Sequence, residues 1–159
     1  MTPAIRAAER ARVAHRVLSY THDPAAPAYG PEAAAALGLD PDSVFKTLVV
    51  ALEGAPRGAA LAVALVPVSR QLDLKAAADA LGVKRAALAD SAAAERATGY
   101  VVGGISPLGQ RKQLRTVVDG SVLRWPEIFV SAGRRGLEIA LAPTDLLRLT
   151  QGSTAAIAR

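Results

Sequence analysis

Phe45-Lys46-Thr47-Leu48-Val49-Val50-Ala51-Leu52 is the stretch on which the fold turns. Apart from Lys46 and Thr47 it is apolar throughout, the pattern of a strand covered on both faces. Residues Gly54 to Gly58 supply a turn, and Ala59 to Val66 repeats the buried-strand pattern. Two such runs joined by a short Gly-containing turn predict a hairpin inside a sheet.

Towards the N-terminus, Thr2 caps a predicted helix with Pro3 at its first position, running to about Arg12. Val13 to Tyr20 alternates loosely and reads as a strand. His22 to Gly30 is a loop, and Pro31 to Leu37 a short helix closed by Gly38. Towards the C-terminus, Asp73 to Leu81 is a helix stopped by Gly82, and Lys84 to Ala97 reads as a further helix or helical pair. Thr116–Asp119, Glu127–Ser131 and Leu137–Leu141 are strands. Pro143-Thr144-Asp145 opens a last helix to Thr150, with Gly152 beyond it. Strands in succession with helices between some of them predict one α+β or mixed α/β domain over residues 1–159.

A chain of 159 residues can bury a full core. It has no cysteine, which excludes disulfides, thiolate catalysis and Cys-type zinc sites. Its first residues lack the apolar core of a signal peptide, and no apolar run reaches the length of a membrane span. A cytoplasmic protein is expected. The net charge is +5, and fifteen of the nineteen cations are Arg. Clusters at Arg6/Arg10/Arg12/Arg16, Arg111/Lys112/Arg115 and Arg134/Arg135 suit a polyanion such as RNA, because the planar guanidinium fork matches phosphate. Solvated arginines of an Arg-rich composition give the same count.

Thr98-Gly99-Tyr100-Val101-Val102-Gly103-Gly104-Ile105-Ser106-Pro107-Leu108-Gly109-Gln110 runs apolar into a sharp turn. Gly103 and Gly104 permit positive φ and close approach, and Pro107 restricts Ser106 to an extended conformation. A rigid loop of this kind can aim N–H groups and one hydroxyl at a carbonyl, a sugar or a developing oxyanion. It also serves as a plain tight turn after a buried strand. Lys46 interrupts a strand that is otherwise apolar, so its ammonium needs solvent or a partner. It suits binding a phosphate or carbonyl; a strand-end lysine guarding an edge is the other reading.

Other templates fail. Gly104 to Gly109 has the glycine spacing of a P-loop, but Gln110-Arg111 stands where Lys-Ser/Thr is required. His15 and His22 lack metal-ligand spacing, His22-Asp23 reads as a solvated loop, and no Gly-x-Ser-x-Gly elbow is present. No metal and no cofactor is expected. An enzyme built from these residues works by positioning and hydrogen-bond donation.

Thr2-Pro3-Ala4, Tyr20-Thr21-His22-Asp23-Pro24, Val44-Phe45-Lys46-Thr47-Leu48, Gln71-Leu72-Asp73-Leu74-Lys75, Thr98-Gly99-Tyr100, the segment Gly103 to Gln110, and Arg134-Arg135-Gly136-Leu137 occur in order along the chain. Together they resemble the YbaK/EbsC family, most closely the bacterial Cys-tRNA(Pro) deacylases. The resemblance implies a YbaK-like domain with a mixed, mostly antiparallel central sheet flanked by helices, related to the editing insertion of bacterial prolyl-tRNA synthetases. It implies cleavage of the ester between a wrong amino acid and tRNA(Pro), a second sieve where pocket size alone discriminates poorly. The substrate is expected to assist, through its own thiol or a ribose hydroxyl, with release of free cysteine or a thiolactone and hence hydrolase or lyase character.

On this resemblance Lys46 binds near the ester or the terminal nucleotide. Backbone N–H groups from Gly103 through Gly104 to Ser106 hold the carbonyl oxygen or the ribose. Tyr20 shapes the pocket and donates a hydrogen bond, while Thr47, Ile105, Pro107 and Ser131 line the site. Glu138 stands where the family usually has Asp, one methylene shorter, and Ala132 where glycine is common. The resemblance also implies a ternary complex with prolyl-tRNA synthetase and mischarged tRNA(Pro). A deacylase for alanine or another small amino acid, and a catalytically silent module binding tRNA or a synthetase, are the competing expectations.

Overall fold

A computed structural model describes residues 1–26, 29–56 and 59–159. Helix α1 (Pro3–Arg10) starts as its sequence predicts, with the Thr2 hydroxyl accepting the Ile5 N–H at 3.2 Å and burying Ala4, Ile5 and Ala8. Strand β1 (His15–Ser19) and helix α2 (Tyr29–Leu37) follow. Strands β2 (Phe45–Glu53) and β3 (Leu61–Pro67) pair antiparallel, the expected hairpin, and every residue of β3 after Leu61 is buried. Of the turn expected at 54–58, residues 57 and 58 lie outside the described residues.

Helix α3 (Leu74–Leu81) is capped by the Asp73 carboxylate and ends at Gly82 in the left-handed region. The helical reading of Lys84 to Ala97 holds only for its second half. Residues Arg85–Leu88 form strand β4, paired antiparallel with β2 from Glu53↔Arg85 to Val50↔Leu88. The left-handed Gly82 turns the chain back, and the Lys84 N–H donates to the Glu53 carbonyl at 3.0 Å, setting residues 85–88 against an unpaired strand edge. Pairing there overrides the helix preference of the alanines. The Asp90 carboxylate then caps helix α4 (Ser91–Thr98).

Strands β5 (Arg115–Asp119), β6 (Ile128–Arg134) and β7 (Leu137–Leu141) and helix α5 (Pro143–Thr150) fall where expected. Gln151, at φ 54°, and not Gly152, takes the left-handed position after α5. A short strand unmarked in the sequence, β8 (Ser153–Ala155), pairs parallel with β5.

The strands divide between two sheets. The larger has the order β4-β2-β3-β5-β8 with β5 and β8 parallel additions; the smaller is antiparallel, β1-β7-β6. The expectation of a mixed, mostly antiparallel α/β architecture holds, distributed over two sheets that meet at the Val44↔Phe129 bridge. One apolar core, with Phe45, Leu65, Ile128, Ile139 and Leu146, fills the space that β2, β3, β6, β7 and α5 share. A second, with Val50, Ala64, Val66, Leu81 and Ile157, lies under α3. Among the described residues no helix is long and apolar enough to cross a membrane.

Candidate active site

Where the first residues of β2 meet the 101–105 loop and the β6–β7 turn, the two sheets leave a cavity of about 410 Å³. Lys46, Thr47, Tyr20, Gly103, Ile105, Ser131 and Glu138 all border it, so the fold brings together seven residues scattered along the sequence. Gly104, Ser106 and Pro107, expected in the site, are buried and do not border it. The Ser106 hydroxyl accepts the Leu108 N–H at 3.2 Å, and its carbonyl accepts the Gln110 side-chain amide at 3.1 Å. Ser106 is therefore a bracket inside the loop, not a group aimed at a ligand. The Gly104 N–H is likewise taken, by the Val101 carbonyl at 2.9 Å.

The plain reading of this loop as a turn that follows a buried strand also fails in its first part. Val101 and Val102 are 73% and 40% exposed and belong to a turn at the cavity mouth. The chain leaves α4 through left-handed Gly99 and cannot continue straight, and the Glu95 carboxylate holds the Val102 N–H at 2.8 Å. Gly103 uses its freedom, at φ 97°, whereas Gly104 is required for contact with the β6–β7 turn. Among the described residues the amides of Gly103 and Ile105 donate to no protein acceptor. They are the donors the loop offers.

Lys46 is half-buried, and burial pulls its ammonium below the usual lysine range. Its ammonium has no ion pair or hydrogen bond among the described residues. Thr47 contributes a buried hydroxyl oxygen with no hydrogen-bond partner. Glu138 also borders the cavity, from within β7, opposite Ser131 of β6 and Leu18 of β1. It is 6% exposed, and burial pushes its carboxyl up to about 8. It too lacks an ion-pair partner among the described residues. The Lys46 ammonium and the Glu138 carboxyl thus border one cavity, both desolvated by burial, with no ion pair between them. Burial also raises the Tyr20 phenol above its usual range, keeping it a hydrogen-bond donor at neutral pH. Ser131 accepts the Gly133 N–H at 3.2 Å and shapes the bulge of β6.

Residues that the sequence reading left out of the site complete its rim. Arg134 and Arg135 border the cavity; they were visible only as a basic cluster and as part of the resemblance. Glu32 of α2 ties the rim together. Its carboxylate meets His22 Nδ1 at 2.9 Å, the Asp23 N–H at 3.0 Å and Arg135 Nε at 3.4 Å. Burial opposes ionisation of Glu32, but the His22 and Asp23 hydrogen bonds and the Arg135 charge outweigh it and lower its pKa. His22 is therefore a tether of the 20–26 loop and not part of a His-Asp pair. No sequence signal marked Glu32. Among the described residues no group of three His, Asp or Glu side chains could hold a metal ion.

The aminoacyl-tRNA editing domain family matches residues 23–149. The chain is 40% identical over 124 residues, 78% of its length and 73% of the relative's, to EbsC of Enterococcus faecalis, assigned as a Cys-tRNA(Pro)/Cys-tRNA(Cys) deacylase. It is 34% identical over 89 residues, 55% of its length and 53% of the relative's, to the multifunctional Ser/Thr-tRNA deacylase ProXp-y of Escherichia coli K12. A crystal structure assigned as a trans-editing enzyme for prolyl tRNA synthetase superposes with a TM-score of 0.80, at 24% identity over 100% of this chain and 99% of the other. That last likeness shows the fold alone.

Proposed function

The chain belongs to the aminoacyl-tRNA editing domain family, and from that premise we propose that residues 1–159 form one editing domain that deacylates Cys-tRNA(Pro). The observation that carries this reading is that one cavity is bordered by both the Lys46 ammonium and the Glu138 carboxyl, neither of them in an ion pair among the described residues. An aminoacyl ester brings an electron-rich carbonyl and a phosphate on one side and an α-ammonium on the other. Lys46 suits the first and Glu138 the second, and binding relieves the desolvation of both.

The free amides of Gly103 and Ile105 suit the ester carbonyl oxygen, where negative charge develops as it is attacked. Tyr20 and Thr47 offer hydroxyls to the ribose or the amino acid. In the substrate-assisted route the cysteinyl thiol loses its proton and its sulfur bonds to the ester carbonyl carbon. The ribose oxygen departs, taking a proton, and the amino acid leaves as a cyclic thiolactone that water opens to free cysteine. No protein nucleophile is required, which agrees with a chain that has no cysteine and a site whose one serine hydroxyl near the loop is internally bonded. A cytoplasmic location and a ternary complex with prolyl-tRNA synthetase, which would select tRNA(Pro), belong to the same proposal.

The test is loss of amino acid from Cys-tRNA(Pro), Ala-tRNA(Pro) and Pro-tRNA(Pro), with wild type and Lys46→Ala side by side. Loss of cysteine alone, slowed at least a hundredfold by the substitution in a folded variant, is the expected outcome. Loss of alanine instead would keep the site and change the substrate. No loss from any ester would leave a binding module.

A further inference from the structure

A second hollow, of about 190 Å³, backs onto the segment that walls the main cavity. Val44, Phe45 and Val68 face the cavity, while Asp42 and Pro67 face the hollow. The wall is stiff, because the Val68 N–H donates to the Val44 carbonyl at 2.8 Å and Phe45 is the register partner of Pro67. Asp42 and Val44 are two positions apart where a turn leads into β2, so at most about 7 Å of backbone separates them. The two spaces therefore lie on either side of one short segment.

The remaining lining is Arg70, Ser121, Arg124 and Trp125. Trp125 is the one tryptophan of the chain, and part of its surface rests on the main core, which fixes the ring. Arg124 is exposed and has no ion pair among the described residues. Arg70 spends one of its donors on the Ala158 carbonyl, at 2.9 Å. The single carboxylate, Asp42, accepts the Ser69 hydroxyl, and the Ser121 hydroxyl donates to Asp119. Two guanidinium groups thus outnumber one hydrogen-bonded carboxylate beside an immobilised indole. Stacking platforms flanked by arginines suit single-stranded nucleic acid, the base on the ring and the phosphate on the cations.

We propose that this hollow is a subsite for one nucleotide of single-stranded RNA, its base against Trp125 and its phosphate on Arg124 and Arg70. The inference rests on the reading of the main cavity as the seat of a terminal aminoacyl-adenosine. The hollow then holds a neighbouring nucleotide of the same 3′ strand. None of the basic clusters evident in the sequence includes Arg70 or Arg124, which are far apart along the chain and meet only through the fold.

Trp125 reports on its own surroundings, so the first probe is the trinucleotide CCA titrated into the full chain while tryptophan fluorescence is followed. The expected result is a saturable change. Arg124→Glu, a surface substitution, should weaken binding about tenfold and lower the slope of log K against log salt by about 0.7. The kcat/KM for mischarged tRNA, relative to that for an aminoacyl-adenosine ester, should fall about tenfold through KM. Trp125→Ala, followed with a labelled trinucleotide, should weaken binding to a similar extent. An unchanged fluorescence signal, equal binding by Arg124→Glu, or an equal response to inorganic phosphate would overturn the proposal. So would a variant that still binds CCA but no longer binds prolyl-tRNA synthetase, which would make the hollow a protein interface. If wild type binds CCA yet cleaves no ester, the deacylase reading fails and the nucleotide subsite stands.

Discussion

Gly104 and Arg134 touch backbone to backbone: a Cβ added to Gly104 would lie 2.6 Å from the Arg134 Cα and 2.9 Å from the Arg135 amide nitrogen. This contact locks the 101–105 loop to the β6–β7 turn, and with it the free amides of Gly103 and Ile105 to the arginines on the rim. Gly104→Ala must separate the two backbones, since neither is a flexible side chain that can swing away. The expected destabilisation is about 1–3 kcal/mol, with deacylation reduced more than tenfold. Thermal unfolding and single-turnover kinetics check it; a variant matching wild type in both would show that the contact positions nothing.

Glu138 makes stability depend on pH. Its carboxyl is raised by burial from 4.5 to about 8, so the folded protein holds this proton where the unfolded chain has released it. The associated stability is complete below pH 4.5 and is lost as pH rises towards 8. A shift of this size corresponds to something on the order of 4 kcal/mol over that range. Glu138→Gln keeps the shape and removes the titration. Urea unfolding between pH 5 and pH 8.5 should therefore give a wild-type curve that falls relative to that of the variant, with the variant the more stable above pH 8. Parallel curves would mean that water or another group solvates the carboxyl.

The contrast between what the sequence foretold and what it hid has a physical basis. The Asp73 and Gly82 signals around α3 are local, and the β2–β3 hairpin needs only its own turn and two apolar runs. Strands β4 and β8 depend on empty edges made by distant segments, so Arg85–Leu88 reads as helix until β2 is beside it. In the site, Lys46 is visible as a charge inside an apolar strand, while Glu138 is legible only through the family resemblance. Ser106 misleads because a hydroxyl beside two glycines and a proline looks the same whether it faces a ligand or brackets its own loop. The Glu32 tether joins three segments, and nothing in any one of them announces the other two.

Thr47 separates substrate binding from packing. Its hydroxyl oxygen is buried without a partner, so replacing it by an isosteric methyl removes a desolvated polar group and breaks no protein hydrogen bond. Thr47→Val should leave the unfolding temperature unchanged or raise it, by up to about 1 kcal/mol of stability. If the hydroxyl meets the ribose or the amino acid, KM rises or kcat falls by about tenfold in the same variant. Full activity would remove Thr47 from the site, whatever its stability.

Ser106 provides the opposite case. Leu108 is 1% exposed, and its N–H has the Ser106 hydroxyl as acceptor. Ser106 in turn gives its carbonyl to Gln110, whose own side-chain oxygen accepts the Leu114 N–H at 3.2 Å. Ser106→Ala strands a buried amide and loosens the first link of that chain, a loss of about 1–3 kcal/mol. Activity should follow stability: near wild type well below the lowered unfolding temperature, and failing earlier on heating. The Gly103 and Ile105 amides remain on the backbone in the variant, so the chemical step has no reason to collapse while the loop holds. A variant with an unchanged unfolding temperature and kcat reduced a hundredfold would return the hydroxyl to the reaction and require the loop to open during turnover.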